Sequence, residues 1–90
     1  MSTIAMFVKI DGKRVAEGLQ NAQSELDGSS GAVLDFASVS RVQPRDLAAL
    51  EKLVDVADDR GVKIELRGVN VGIYKVLKLA RLASRFGFHA

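Results

Sequence analysis

Ninety residues are enough for one small domain, and a chain of this length buries roughly 60 to 68% of its unfolded surface. The 48% hydrophobic and 27% charged content is that of a globular chain, and no apolar run approaches the ~20 residues of a membrane span. With no cysteine, disulfides and thiolate metal sites are excluded. The apolar opening, MSTIAMFVKID, lacks a basic leader and does not read as a signal peptide, so a cytoplasmic location is expected. Charge is unevenly placed: residues 1–59 hold six Lys/Arg against ten Asp/Glu (−4), and residues 60–90 hold seven against one (+6).

In chain order, Ile4, Met6, Val8 and Ile10 alternate as a strand does, and Asp11-Gly12 supplies a turn. Val15, Leu19, Ala22 and Leu26 then recur on one face of an amphipathic helix. Gly28-Ser29-Ser30-Gly31 reads as a connector. It follows a helix and precedes a strand, the reverse of the order a phosphate cradle needs. The continuous apolar run Ala32 to Phe36 predicts a central strand. Asp35 within it calls for a hydrogen-bond partner or an accessible edge.

A second helix is expected to start at Pro44, whose missing N–H would have had no partner in the first turn. Leu47, Leu50, Leu53, Val54 and Ala57 form its stripe, and Gly61 is placed as a left-handed cap. Val62, Ile64 and Leu66 alternate with Lys63, Glu65 and Arg67, a strand buried on one face. Asn70 is the expected N-cap of a last helix on which Ile73, Leu77 and Ala80 share a face, with Val76 and Ala83 beside them. Tyr74 and Phe86 read as core or rim packing. The alternation of strands and helices predicts an α/β sandwich of two layers or slightly more in a single domain spanning residues 1–90.

Candidate chemistry is sparse. His89 is penultimate and without convergent partners, and Asp58-Asp59 diverge on a helix, so neither suggests a metal or acid–base site. No catalytic residues and no cofactor are expected. Lys75, Lys78, Arg81 and Arg85 recur at helical spacing and predict a basic face on the last helix, suited to phosphates, anionic lipid or an acidic partner. No aromatics interleave with them, which argues against nucleic acid. The remaining candidate is the junction of the central strand with the second helix: Ser38, Ser40, Arg41, Gln43, Pro44, Arg45 and Asp46.

Around that junction the chain resembles the STAS domain, the fold of bacterial anti-sigma-factor antagonists. The resemblance covers about residues 33–82. It is carried by Asp35 and the following Ser/Val run, Leu47-Ala48-Ala49-Leu50, Ala57-Asp58-Asp59-Arg60-Gly61-Val62, Leu66-Arg67-Gly68-Val69-Asn70, and Tyr74, Leu77 and Leu79. Val39-Ser40-Arg41-Val42 and Gly68-Val69-Asn70 look most like the STAS subunit of the Gram-negative ABC system that moves phospholipid between membranes. The resemblance implies a mixed sheet of three to four strands with three to four helices. It also implies docking to an ATP-binding protein, an anti-sigma kinase or a transporter ATPase, through Ser40, Arg41, Gln43, Pro44, Arg45 and Asp46. Contact with a membrane would then be only indirect, through the transporter.

The family's phosphorylation loop aligns with Gln43-Pro44-Arg45-Asp46, and Pro44, at the phosphoacceptor position, has no hydroxyl. The family's first two strands are reduced to one here, leaving an edge open to a second copy of the chain. The runner-up reading is a nucleic-acid or membrane-surface accessory domain that uses the basic face.

Overall fold

The computed structural model describes residues 6–26 and 30–89. Four strands, β1 (Met6–Lys9), β2 (Gly31–Asp35), β3 (Lys63–Arg67) and β4 (Gly87–His89), form one sheet in the order β1-β2-β3-β4. Three helices connect them: α1 (Val15–Ser24), α2 (Pro44–Asp59) and α3 (Val71–Leu79), the last followed by a 3-10 turn at Ala83–Arg85. Ile4, Gly28 and Ser29, expected in the first strand and the connector, lie outside the described residues.

Every strand pairing is parallel, where a mixed sheet was expected. The reason is in the connections. Each passes through a helix, and a helical crossover returns the chain to the end of the sheet where the previous strand began, so the next strand points the same way.

Register explains the one-sided core. Val8 pairs with Leu34, which pairs with Leu66; Ala32 pairs with Ile64. Ala32, Leu34, Ile64 and Leu66 are buried beneath the helices, while Lys63 and Arg67 on the opposite face are exposed. Parallel sheets are normally covered on both faces and built of continuous apolar runs. The alternation in β3 is the mark of a sheet covered on one face only. Val15, Leu19 and Ala22 from α1, Leu26 just beyond the helix on whose face it was expected, and Leu50, Leu53, Val54 and Ala57 from α2 join the strands and Phe36 in one cluster.

The C-terminal caps of α2 and α3 follow the Schellman pattern. After α2, Gly61 takes φ 70°, its N–H donates to Asp58 O, and Val62 N–H donates to Ala57 O at 2.8 Å. After α3 the same two bonds form, Arg81 N–H to Lys78 O and Leu82 N–H to Leu77 O, but the left-handed position holds Arg81 at φ 62°.

That cap corrects the sequence reading of the C-terminal third. The last helix stops at Leu79, leaving Ala80 exposed at its C-cap and Ala83 in the 3-10 turn. Leu82 and Phe86, on either side of that turn, are buried. The chain then enters a fourth strand, with Arg67 in register with His89, where a frayed end was expected. Phe88 meets Tyr74 edge to face at 5.2 Å, an arrangement favoured by the ring quadrupoles.

The two caps predict substitutions of opposite sign. A Cβ at Gly61 would meet nothing within 4 Å, so Gly61→Ala costs about 1 kcal/mol from backbone conformation alone. Arg81→Gly, which relieves a left-handed L-residue, stabilises by roughly 0.5 to 1 kcal/mol. Urea-unfolding midpoints of the two variants check this.

Candidate functional site

The β1–α1 turn and the β2–α2 loop meet at the carboxyl end of the sheet, the end at which open α/β sheets place their ligands. Their contact is tight. A Cβ on Gly12 would collide with the backbone carbonyl of Ser38, and the Ser38 hydroxyl donates to Ile10 O at 2.9 Å. Inside the loop, Asp35 Oδ1 accepts from Ala37 N–H at 2.9 Å, so its carboxylate closes the strand end, the structural role its position called for. Val39 N–H donates to Phe36 O, and the Val39 side chain is buried in the core.

The β3–α3 connection supports the loop from the other side. Gly68, at φ 72°, lies so close to Ala37 that an added Cβ would sit 3.0 Å from its backbone. Asn70 does two jobs. Its Oδ1 accepts from Ile73 N–H at 2.8 Å, the expected N-cap, and its Nδ2 donates to Ser40 O at 3.0 Å. The cap was legible from Asn70 preceding an apolar stripe; the bond to Ser40, thirty residues away, was not.

This bracing presents the predicted docking residues. Ser40, Arg41, Gln43, Pro44 and Arg45 are exposed. Pro44 is the first residue of α2, as expected, and a capping box joins N-cap Gln43 to Asp46. Gln43 N–H donates to Asp46 Oδ2 at 2.8 Å, and Asp46 is 5% exposed. Asp46 is therefore a structural cap and does not face outward as a docking residue. Between the two connections lies a cleft of about 630 Å³, walled by Lys13 and Arg14 on one side and Arg41 and Arg45 on the other.

The predicted basic face of the last helix does not exist as one surface. Lys75 and Lys78 are exposed on α3, but Arg81 caps its end. Arg85 turns back to α2, its guanidinium 2.8 Å from Asp55 and 2.7 Å from Asp58. Hydrogen bonds to Asp58 and then Asp55 raise the Arg85 pKa above that of a free guanidinium. Asp58 thus serves as an anchor for the C-terminal segment. What shares the outer surface of α3 with Lys75 and Lys78 is apolar: Val71 and Leu79 are 71% and 86% exposed.

No group of three or more His, Asp or Glu positioned to hold a metal ion occurs among the described residues. Among them, no helix is long and apolar enough to cross a membrane.

Two solved structures share this architecture. A sulfate transporter family protein from Wolinella succinogenes superposes with a TM-score of 0.77 at 18% identity, covering 98% of this chain and 80% of its own. A protein described as an anti-sigma factor antagonist from Thermotoga maritima superposes with a TM-score of 0.73 at 13% identity, covering 99% and 83%. The fold is STAS-like. In sequence, the STAS-like chain is 41% identical over 49 residues to the intermembrane phospholipid transport system binding protein MlaB of Escherichia coli, and equally to that of Shigella flexneri. The match takes in 54% of this chain, which spans half the length of those curated relatives. No family model matches the chain.

The brace makes two predictions. Gly68→Ala combines a strained φ with a close contact and destabilises by more than the roughly 1 kcal/mol of a left-handed position alone. Asn70→Asp keeps the cap acceptor but loses the bond to Ser40, whereas Asn70→Ala loses both and costs about 1 kcal/mol more. Amide hydrogen exchange should show the loop amides around Ser40 faster in both variants and the start of α3 faster only in Asn70→Ala.

Proposed function

We propose that this chain is a non-enzymatic interaction module of the STAS type, acting in the cytoplasm by docking an ATP-binding protein. The docking surface is the loop edge Ser40, Arg41, Gln43, Pro44 and Arg45. The observation that carries this reading is the bracing of that edge. A loop held by Gly12, Gly68 and Asn70 meets a partner without first being ordered, and the conformational cost of association falls accordingly. The edge offers cations, a rigid proline and the Ser40 hydroxyl, and no group of three or more His, Asp or Glu positioned to hold a metal ion occurs among the described residues.

Of the two partner types, an ABC transporter ATPase is the better supported. Sequence identity to a phospholipid transport binding protein reaches 41%, whereas the likeness to the anti-sigma factor antagonist is one of fold, at 13% identity. Pro44 stands where the family carries its phosphoacceptor, so docking is constitutive or is regulated on the partner.

Affinity purification of the tagged chain from its native host, with identification of the bound protein, tests the proposal. An ABC ATPase is expected, and its recovery should fall with Arg41→Ala/Arg45→Ala at unchanged thermal stability. Recovery of a histidine-kinase-like ATPase would favour sigma regulation, and recovery unaffected by the double variant would remove the loop edge from the interface.

A further inference from the structure

We propose that the β1–α1 turn forms the second half of the site, and that the cleft between Lys13/Arg14 and Arg41/Arg45 receives an extended acidic segment of the protein partner. This rests on the docking reading above and deepens it.

The four cations come from two connections far apart in sequence, and the contact of Gly12 with Ser38 fixes those connections against each other. All four side chains are exposed, and none has an ion-pair partner among the described residues. The contrast is with Arg85, a cation of the same chain that is fully engaged by two carboxylates. The acids along the cleft are Glu17 and Asp46, giving four positive charges against two, and the Asp46 carboxylate is consumed by the Gln43 amide. A surplus of unpaired cations facing one another across a cleft is complementary to carboxylates arriving on another chain.

The arrangement also selects among anions. A small phosphate-like ion needs convergent donors held by burial. Here the cations are spread over both walls, and Asp46, the polar residue buried at the cleft, is itself an anion. Single-stranded nucleic acid needs aromatic stacking platforms, and no aromatic side chain lines the cleft. Small-molecule sites are mostly apolar, whereas the cleft walls carry six charged side chains. A segment bearing several carboxylates along its length matches what remains.

The test is fluorescence anisotropy of a labelled eight-residue peptide of alternating Asp and Glu, titrated with the full chain at low and at physiological salt. Saturable binding that weakens as salt rises is expected. Lys13→Gln/Arg14→Gln should weaken it about fivefold, as should Arg41→Gln/Arg45→Gln, in line with two exposed ion pairs each. Lys75→Gln/Lys78→Gln on α3 removes the same net charge and should leave binding unchanged.

An equal loss from the α3 pair, no saturable binding at low salt, or stronger competition by inorganic phosphate or oligouridylate than by unlabelled peptide would overturn the proposal. The two readings fail separately. Cleft-dependent peptide binding with no ATPase recovered from cells removes the ATPase alone. An ATPase whose recovery depends on Arg41 and Arg45 but not on Lys13 and Arg14 removes the two-walled cleft alone.

Discussion

The structure depends on one contact set: the β2–α2 loop wedged between its two neighbouring connections. Gly12 allows the first turn to lie against the Ser38 carbonyl, and Gly68 allows the third connection to lie against Ala37. Neither approach leaves room for a side chain. Once they are made, the Ser38 hydroxyl and the Asn70 amide lock the loop by hydrogen bonds to Ile10 and Ser40. Three crossovers of a parallel sheet are thereby joined in one rim, and it carries the start of α2, which is set locally by Pro44 and the Gln43–Asp46 capping box.

The electrostatics follow from the same geometry. Charges on separate surface loops are screened over about 8 to 10 Å in physiological salt, so unrelated loops contribute little to one another's field. Here Lys13/Arg14 and Arg41/Arg45 face each other across one cleft because the glycine contact holds their loops together. At the opposite end of α2, Asp55 and Asp58 hold Arg85, tying the 3-10 turn to the helix layer just before β4 joins the sheet. Among the described residues, the four cations of the cleft have no ion-pair partner, whereas Arg85 at the other end of α2 is held by two.

Much of the fold was legible from periodicity. The stripe Val15, Leu19 and Ala22, the proline start of α2, Gly61 as its cap and the one-sided β3 all appear where the pattern put them, while Leu26 is buried just beyond the end of α1. The misreadings share a cause. Arg81 occupies a position that usually advertises itself with glycine, so nothing local announced the end of α3. Lys75, Lys78, Arg81 and Arg85 then looked like one helical face, and the three-residue β4 was too short to show a period of its own. The parallel sense of the sheet lies in the crossovers, not in the strands. At the site, the loop was recognisable from its residues and its resemblance to STAS domains. The inward turn of Asp46 and the clamp from Asn70 depend on tertiary contacts, as does the pairing of Lys13/Arg14 with the loop, and no local pattern encodes them.

If the preformed rim at the carboxyl end of the sheet is the docking surface, as proposed, a bound partner must cover it. Backbone amide hydrogen exchange, comparing the free chain with its partner-bound complex, reads that coverage residue by residue. New protection is expected at residues 11–17 and 40–46, with α3 and the open face of the sheet unchanged. Protection that appears instead along Val71–Leu79, or across Lys63–Arg67, would place the partner elsewhere and rule the rim out as its docking surface.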